Sequence, residues 1–158
     1  MNENIGKKGM SKGAKWGIGC GIGCMSIIII LAVAGFIAFK VVKTKIDEME
    51  AELKSHGFEH VVKGQMLEIS EDITKPELFM GQVVKIMGDC NTNLAVMSQL
   101  CEIHGKIDGD FYFRGQLLTI QPNAVIEGNL DIKAQALQNY GKVNGKITGT
   151  YSGIKGKE

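Results

Sequence analysis

The hydrophobic pattern of the chain begins with one long apolar run. Trp16–Phe39 contains no charged residue, and Lys15 and Lys40 stand at its borders. At about 1.5 Å per residue, a helix of this length spans a hydrocarbon layer of roughly 30 Å. The run is longer than the apolar core of a secretory signal peptide, which makes cleavage the weaker alternative. The pattern therefore predicts one uncleaved transmembrane helix over residues 16–39.

A four-residue unit repeats in the first half of this predicted span. It places small residues one helical turn apart, at Gly17, Gly19, Gly21 and Gly23. This spacing lets two membrane helices approach closely, although glycine is also common in membrane helices that do not pair. The four glycines are therefore candidates for helix–helix packing. Cys20 and Cys24 share one face near the membrane border, a position at which cysteines of other proteins are acylated.

The lysines beside the predicted span do not orient it. They precede it at Lys7, Lys8, Lys12 and Lys15 and follow it at Lys40, Lys43 and Lys45. The positive-inside rule counts basic residues near the ends of a span, and here the two counts are nearly balanced. The sequence leaves open which side of the membrane carries the rest of the chain.

Apolar residues return at helical spacing directly after the span. They occupy Val42, Ile46, Met49 and Leu53, and Gly57 is a natural helix stop. The pattern predicts a short helical stalk over residues 40–57 that continues the membrane helix. Its apolar seam is shorter than two heptads, which is too little to establish a coiled coil with a second copy.

From Phe58 onward the apolar residues alternate at a period of two, and glycines interrupt the alternation. This pattern is typical of β-strands. The frame (Val/Ile)-x-Gly-x-apolar recurs five times, with its glycines at Gly64, Gly88, Gly109, Gly128 and Gly145, so that the spacing between them shortens toward the C-terminus. A recurrence of this kind indicates a solenoid, in which each repeat is one coil, and it places these glycines at the corners of the coils.

A shorter period, of six residues, occurs within the last repeats. Two rows follow it, Leu118, Ala124, Leu130 and Ala136, and Ile120, Ile126 and Ile132. Three faces of about six residues make a coil of roughly eighteen, as in short parallel β-helices. The alternative is an antiparallel barrel or sandwich in which the glycines mark hairpin turns.

The stretches Leu117–Tyr151 and Leu100–Gln116 resemble the repeat region of the bactofilins, bacterial polymer-forming cytoskeletal proteins. The resemblance implies a short right-handed parallel β-helix, a cytoplasmic location and self-association through the terminal coils. This chain differs from the usual family pattern in having a full membrane helix with a stalk and in having few coils.

Composition and charge narrow the choice of partners. The chain has 158 residues, 18 Lys and Arg against 17 Asp and Glu, and 21 glycines. A net charge of +1 provides no single-sign field for nucleic acid, and no small-molecule site is evident. The expected partners are the lipid bilayer and further copies of the chain.

Candidate chemistry is sparse. His104 stands beside Cys101 and Glu102, yet strand alternation puts Cys101 on the opposite face, so a metal site is not expected. Cys90 and Cys101 occupy positions where apolar side chains are expected, which favours buried thiols. A six-residue period also occurs in the left-handed β-helix acyltransferases, which makes such an enzyme an alternative. Those enzymes have long, strict runs of six-residue repeats, whereas the period in this chain holds for about three steps. We expect neither an enzyme nor a cofactor.

The end of the repeat region is the candidate self-association surface. After Tyr151 only a short, glycine-containing tail remains, too short for a helix that covers the last coil. An uncovered coil edge exposes unpaired backbone groups, and Tyr140, Ile147 and Tyr151 lie on or near it. The alternative is that Tyr151 covers its own core.

The sequence thus predicts a mainly β protein, a short parallel β-solenoid preceded by one transmembrane helix and a stalk. We expect an anchored, self-associating scaffold; the alternative is a non-polymerising anchored envelope module with a small β-barrel. The predicted segments are a basic tail over 1–15, the span over 16–39, the stalk over 40–57, a loosely repeating β segment over 58–99, the solenoid core over 100–151 and a tail over 152–158.

Overall fold

A computed structural model of the chain describes the backbone of residues 12–156 and the side chains of residues 30–153. One helix, α1 (Lys12–Ser55), precedes a series of short strands. The strands are β1 (His60–Lys63), β2 (Met66–Ile69), β3 (Glu77–Ile86), β4 (Leu94–Ile103), β5 (Lys106–Ile107), β6 (Phe111–Ile120), β7 (Val125–Ile126), β8 (Leu130–Lys133), β9 (Ala136–Asn139), β10 (Lys142–Val143), β11 (Ile147–Thr150) and β12 (Ile154–Gly156). The chain divides into two compact units, the first ending at Asp47 and the second beginning at Glu48.

Within the described residues, no helix has both the length and the apolar character needed to cross a membrane. The side chains of residues 16–29, which form the larger part of the predicted span, lie outside the described residues. So do the side chains of the cysteines Cys20 and Cys24, and the surroundings of the positions predicted to pack helices, Gly17, Gly19, Gly21 and Gly23, are not described. The membrane span and the helix pairing stay predictions.

Each strand pair in the described residues is parallel, which confirms the predicted β-solenoid and rules out the antiparallel barrel. His60 aligns with Glu77, Glu77 with Leu94 and Leu94 with Phe111, so each of the first three coils is a step of 17 along the chain. Phe111 aligns with Leu130, a step of 19, and Leu130 aligns with Ile147, again a step of 17. Coils 1 to 5 therefore begin at His60, Glu77, Leu94, Phe111 and Leu130, and a last half-coil begins at Ile147.

Each coil has three faces. Face 1 contains β1, β8, β11 and the first halves of β3, β4 and β6; face 2 contains β2, β9, β12 and the second halves of the same long strands. Face 3 is formed by β5, β7 and β10, extended by single bridges at Ile73 and Cys90. Alternate side chains of all three faces point inward and stack into one continuous core, with Phe113, Ile120 and Ile126 fully buried.

The five glycines of the sequence frame lie at three different corners. Gly109, Gly128 and Gly145 share the corner between faces 3 and 1, where a Cβ on Gly145 would overlap the Gly128 carbonyl oxygen. Gly88 stacks instead beneath Gly105, between faces 2 and 3, and Gly64 beneath Gly81, between faces 1 and 2. The apparent shortening of the repeat therefore compares unlike corners, and every coil but one has the same length.

The one longer coil, coil 4, explains the six-residue period. Ile103 aligns with Ile120 at a step of 17, whereas Lys106 aligns with Val125 at a step of 19. Pro122 and Asn123 are thus an insertion, accommodated at the corner of coil 4. The insertion lengthens the spacing from Ile120 to Ile126 to six residues, whereas the equivalent spacing in coil 3, from Ile103 to Ile107, is four, so the six-residue period holds here and fails in coil 3.

A second apolar cluster lies on the outside of face 1. Leu53 from the last turns of α1 and Phe58 from the following loop are fully buried against Leu78, Ala95 and Met97. Met49 is half-buried in the same cluster. The predicted stalk seam is therefore divided: Met49 and Leu53 pack on the solenoid, whereas Val42 and Ile46 are exposed.

Candidate self-association surface

The last half-coil leaves the end of the solenoid open. Within the described residues, β11 pairs only with β8 and β12 only with β9. Every residue of β11 is exposed, whereas the counterparts Leu130 and Ile132 in β8 are fully buried. In a parallel ladder the backbone groups of each strand point to both sides, so one side of β11 has no partner strand. This edge is the surface at which a further coil would continue the ladder.

The inward-facing row of face 1 is incomplete at this end. Ile147 is 36% exposed and continues the row above Leu130. Two positions later, Gly149 stands above Ile132 with φ of 110°, a left-handed conformation that side chains rarely adopt. The row therefore ends in a residue without a side chain, which leaves the top of the core thinly covered.

Tyr151 packs on the core of its own chain. It is half-buried against the main cluster and follows Thr150, which aligns with Lys133, so it stands above Ala134. The earlier coils have small residues at this corner: Gly81, Ser98, Gly115 and Ala134. A large ring fits in the last half-coil because, among the described residues, no further coil passes over it. Tyr140, at the corner between faces 2 and 3, is 41% exposed.

Polar side chains bond successive coils together at the corners. The Asn93 Oδ1 atom accepts a hydrogen bond from the Asp110 backbone N–H at 2.8 Å, and Asp110 Oδ1 accepts one from the Asn129 N–H at 2.7 Å. The row ends where Asn129 Oδ1 accepts from the Lys146 N–H at 3.1 Å, because a lysine side chain has only donors. Asp110, beside the frame glycine Gly109, thus joins successive coils. This row does not extend past coil 5, unlike the open strands of faces 1 and 2.

A buried arginine joins the last turns of α1 to the solenoid. The Arg114 side chain is fully buried; its Nη2 donates to Glu52 Oε1 at 2.9 Å and its Nη1 to Asp131 Oδ1 at 2.8 Å. Lys133 Nζ also donates to Glu52, at 2.8 Å. Hydrogen bonds from Lys133 and then Arg114 lower the pKa of the Glu52 carboxyl below its ordinary value. The sequence contained no signal for this cluster, since Arg114 reads as an ordinary surface charge.

A groove beside this cluster collects polar groups. It is lined by His56, Asp110, Tyr112, Asn129, Asp131, Lys146 and Thr148. Its two carboxylates already accept protein hydrogen bonds, Asp110 from Asn129 and Asp131 from Arg114. Burial raises the pKa of the Tyr112 hydroxyl, and the nearby Asp110 carboxylate adds to the effect. Asp110, Asn129 and Asp131 of the groove therefore connect successive coils.

The cysteines and His104 lie where the strand alternation predicts. Cys90 and Cys101 are free and fully buried, and burial raises the pKa of both thiols. His104 is half-buried on the other side of its strand, with Nε2 3.5 Å from Glu102 Oε2. In the part of the chain that the structure describes, no three His, Cys, Asp or Glu side chains group to hold a metal.

The sequence contains a second repeat signal that the glycine frame does not include. A small residue, a glutamine and an apolar residue recur once per coil, in the segments 64–66, 81–83, 98–100, 115–117 and 134–136. The steps between these segments match the strand register, including the longer step at coil 4. Aligning the chain on this triplet would have refined the predicted coil of roughly eighteen residues to the observed steps.

Comparison with known proteins finds no matching family model, no similar curated protein and no similar solved structure. The parallel solenoid agrees with the fold that the bactofilin resemblance implies, but this agreement concerns architecture alone.

Proposed function

We propose that this chain is a membrane-anchored structural scaffold of the bactofilin type. In this proposal its solenoid, right-handed as in that family, self-associates end to end, and the N-terminal helix holds the assembly at the cytoplasmic face of a membrane. The observation that carries the proposal is β11, a parallel strand with every side chain exposed and one partner strand within the described residues. An open parallel edge of this kind is a template for a further strand unless it is blocked.

The opposite end of the solenoid supports the same proposal. Within the described residues β1 and β2 pair only with β3, so coil 1 also has an open edge. If a second copy continues the same register, its Lys63 stands above Thr150 and its Val61 above Thr148. Neither pair brings like charges together. Two open ends with compatible residues allow a linear assembly without any other contact.

The apolar side chains of α1 support the anchor. Ile30, Leu31, Val33, Phe36, Ile37 and Phe39 are each more than half exposed. So many exposed apolar side chains are unfavourable in water. The uncharged run Trp16–Phe39 indicates that lipid shields them from it.

Light scattering of residues 48–158 tests the self-association. This fragment holds every fully buried residue of both apolar clusters, whereas a fragment starting at Phe58 would lack Leu53 and Glu52. We expect the mass of the wild-type fragment to rise with concentration. The substitution Thr150→Arg should reduce the mass to that of a monomer. In an assembly, the new positive charge would face either Lys63 of a second copy or the same substituted position of a second copy.

The matched control is Asn123→Arg, also an exposed position, in the coil 4 insertion. It should leave the assembly unchanged. A wild-type fragment that stays monomeric at every concentration would reject the scaffold and favour the non-polymerising anchored module, in which Tyr151 serves only its own core.

A further inference from the structure

The solenoid has an uncharged strip along one corner. Its first row is five glutamines that stand above one another, Gln65, Gln82, Gln99, Gln116 and Gln135. All five are exposed. Within the described residues none of their side-chain amides makes a hydrogen bond, although each amide carries both donors and an acceptor.

The second row of the strip is apolar. The next residue of each coil points outward from face 2, at Met66, Val83, Leu100, Leu117 and Ala136, in the register of the strand pairs. Met66 is 70% exposed, and the other four are half-buried. Glutamines beside apolar side chains, repeated at about 4.8 Å, form a regular surface along the solenoid axis.

The other outer surfaces differ from this strip. On face 1 the outward apolar residues Leu78 and Ala95 are covered by Leu53 and Phe58. Face 3 carries charges, where Lys106 pairs with Asp108 and Glu127. The strip is therefore an uncharged outer surface, one row of amides and one row of apolar side chains, that the described chain leaves uncovered.

We infer that the strip is a lateral interface between copies of this chain, paired side by side about a two-fold axis. A two-fold axis places the same strip on both sides, so each row must complement itself. Amides satisfy this condition because each can donate to and accept from another amide, and apolar rows satisfy it by mutual burial. A charged partner such as nucleic acid would find no opposite charge in either row.

The size of the strip determines when the pairing forms. Five rungs extend over about 19 Å, and a strip one corner wide buries far less than the roughly 800 Å² per partner of a stable interface. One strip is thus too small to pair two single molecules. When copies stack end to end, their strips join and the contacts add along the filament. The inference therefore rests on the proposed function: lateral pairing follows end-to-end assembly.

Scanning transmission electron microscopy of residues 48–158 tests the inference through the mass per length of filaments. We expect wild-type filaments two solenoids wide. The double substitution Gln99→Arg and Gln116→Arg puts like charges face to face across the two-fold axis and should halve the mass per length while filaments persist. Asn123→Arg, exposed but outside the strip, should leave the mass per length unchanged.

The ways in which the test can fail are distinguishable. Wild-type filaments of single width, or double-width filaments that the double substitution leaves intact, would overturn the lateral interface and leave the end-to-end scaffold standing. Absence of any filament or oligomer in the wild type would overturn both. Circular dichroism of the variants checks that the β-solenoid is retained, which the exposure of both glutamines leads us to expect.

Discussion

Arg114 Nη2 donates to Glu52 Oε1 at 2.9 Å, which joins the fourth coil of the solenoid to the last turns of α1 across 62 positions of sequence. The guanidinium is fully buried and the carboxylate is 35% exposed. Leu53, the next residue, is buried in the apolar cluster on face 1, so the same segment of helix is held by apolar burial and by an ion pair. The last turns of α1 are therefore part of the solenoid domain.

Replacing the carboxylate should weaken this connection. Glu52→Gln keeps an acceptor oxygen but removes one of the two negative charges that face the buried Arg114, the other being Asp131, and it should lower the free energy of unfolding by about 1–3 kcal/mol because hydrogen bonds between charged groups are the stronger ones. Urea unfolding of residues 48–158 measures the change. Glu68→Gln is the matched control, since Glu68 is exposed and should change the free energy by less than about 0.5 kcal/mol. Equal effects would show that the pair adds nothing to stability.

The same carboxylate predicts a dependence of stability on pH. Since Lys133 and Arg114 lower the folded-state pKa of Glu52 below 4.5, its contribution is present above about pH 4.5 and is lost as pH falls through the lower folded value. The difference in unfolding free energy between wild type and Glu52→Gln should therefore shrink as pH falls below this value. Glu50, whose pKa is also lowered, is present in both proteins and cancels in the difference. A difference independent of pH would contradict the assignment.

The glycine corner between faces 3 and 1 should have no room for a side chain. Gly128→Ala places a Cβ against the Gly109 carbonyl and 2.7 Å from the Asp110 backbone nitrogen, so the coils must move apart. We expect a loss of about 1–3 kcal/mol in unfolding free energy. Asp110→Asn keeps the Oδ1 acceptor for the Asn129 N–H and should be nearly silent. Thermal unfolding of both variants makes the comparison, and a silent Gly128→Ala would contradict the close stacking of the coils.

Removal of residues 1–39 should release the protein from membranes. The reason is the uncharged run Trp16–Phe39 and the exposure of the apolar side chains from Ile30 to Phe39. Sedimentation after an alkaline carbonate wash compares the full chain with residues 40–158. A truncated protein that still sediments with membranes would show that the anchor lies elsewhere.

Much of the fold could be predicted from the sequence because a solenoid repeats local signals. The alternation at a period of two and the recurring glycines identified parallel coils. The coil length was predicted only approximately, as roughly eighteen, because Gly64, Gly88 and Gly109 satisfy one sequence frame from three different corners. The small-Gln-apolar triplet, such as Gly81 to Val83, was the better guide, since its glutamine lies outside the core and marks one corner only.

The site could be predicted only in part. The expected uncovered edge agrees with β11, which pairs only with β8 within the described residues, but the sequence did not show that Tyr151 lies half-buried on its own core. The docking of the last turns of α1 could not be predicted, because Leu53 and Met97 of the same apolar cluster are distant in sequence. Arginines are usually exposed, so the burial of Arg114 was not expected. The local sequence pattern also contains no information on a partner as distant in sequence as Glu52.

Hydrogen exchange at β11 tests the central proposal, self-association through the open coil edge, most directly. Amides of Ile147–Thr150 that face away from β8 should exchange quickly in dilute monomer and be protected at assembling concentrations, because a strand of a second copy then accepts their hydrogen bonds. Amides of β4, which are paired on both sides, should exchange at the same slow rate in both conditions. Protection of β11 that does not change with assembly would contradict the end-to-end scaffold.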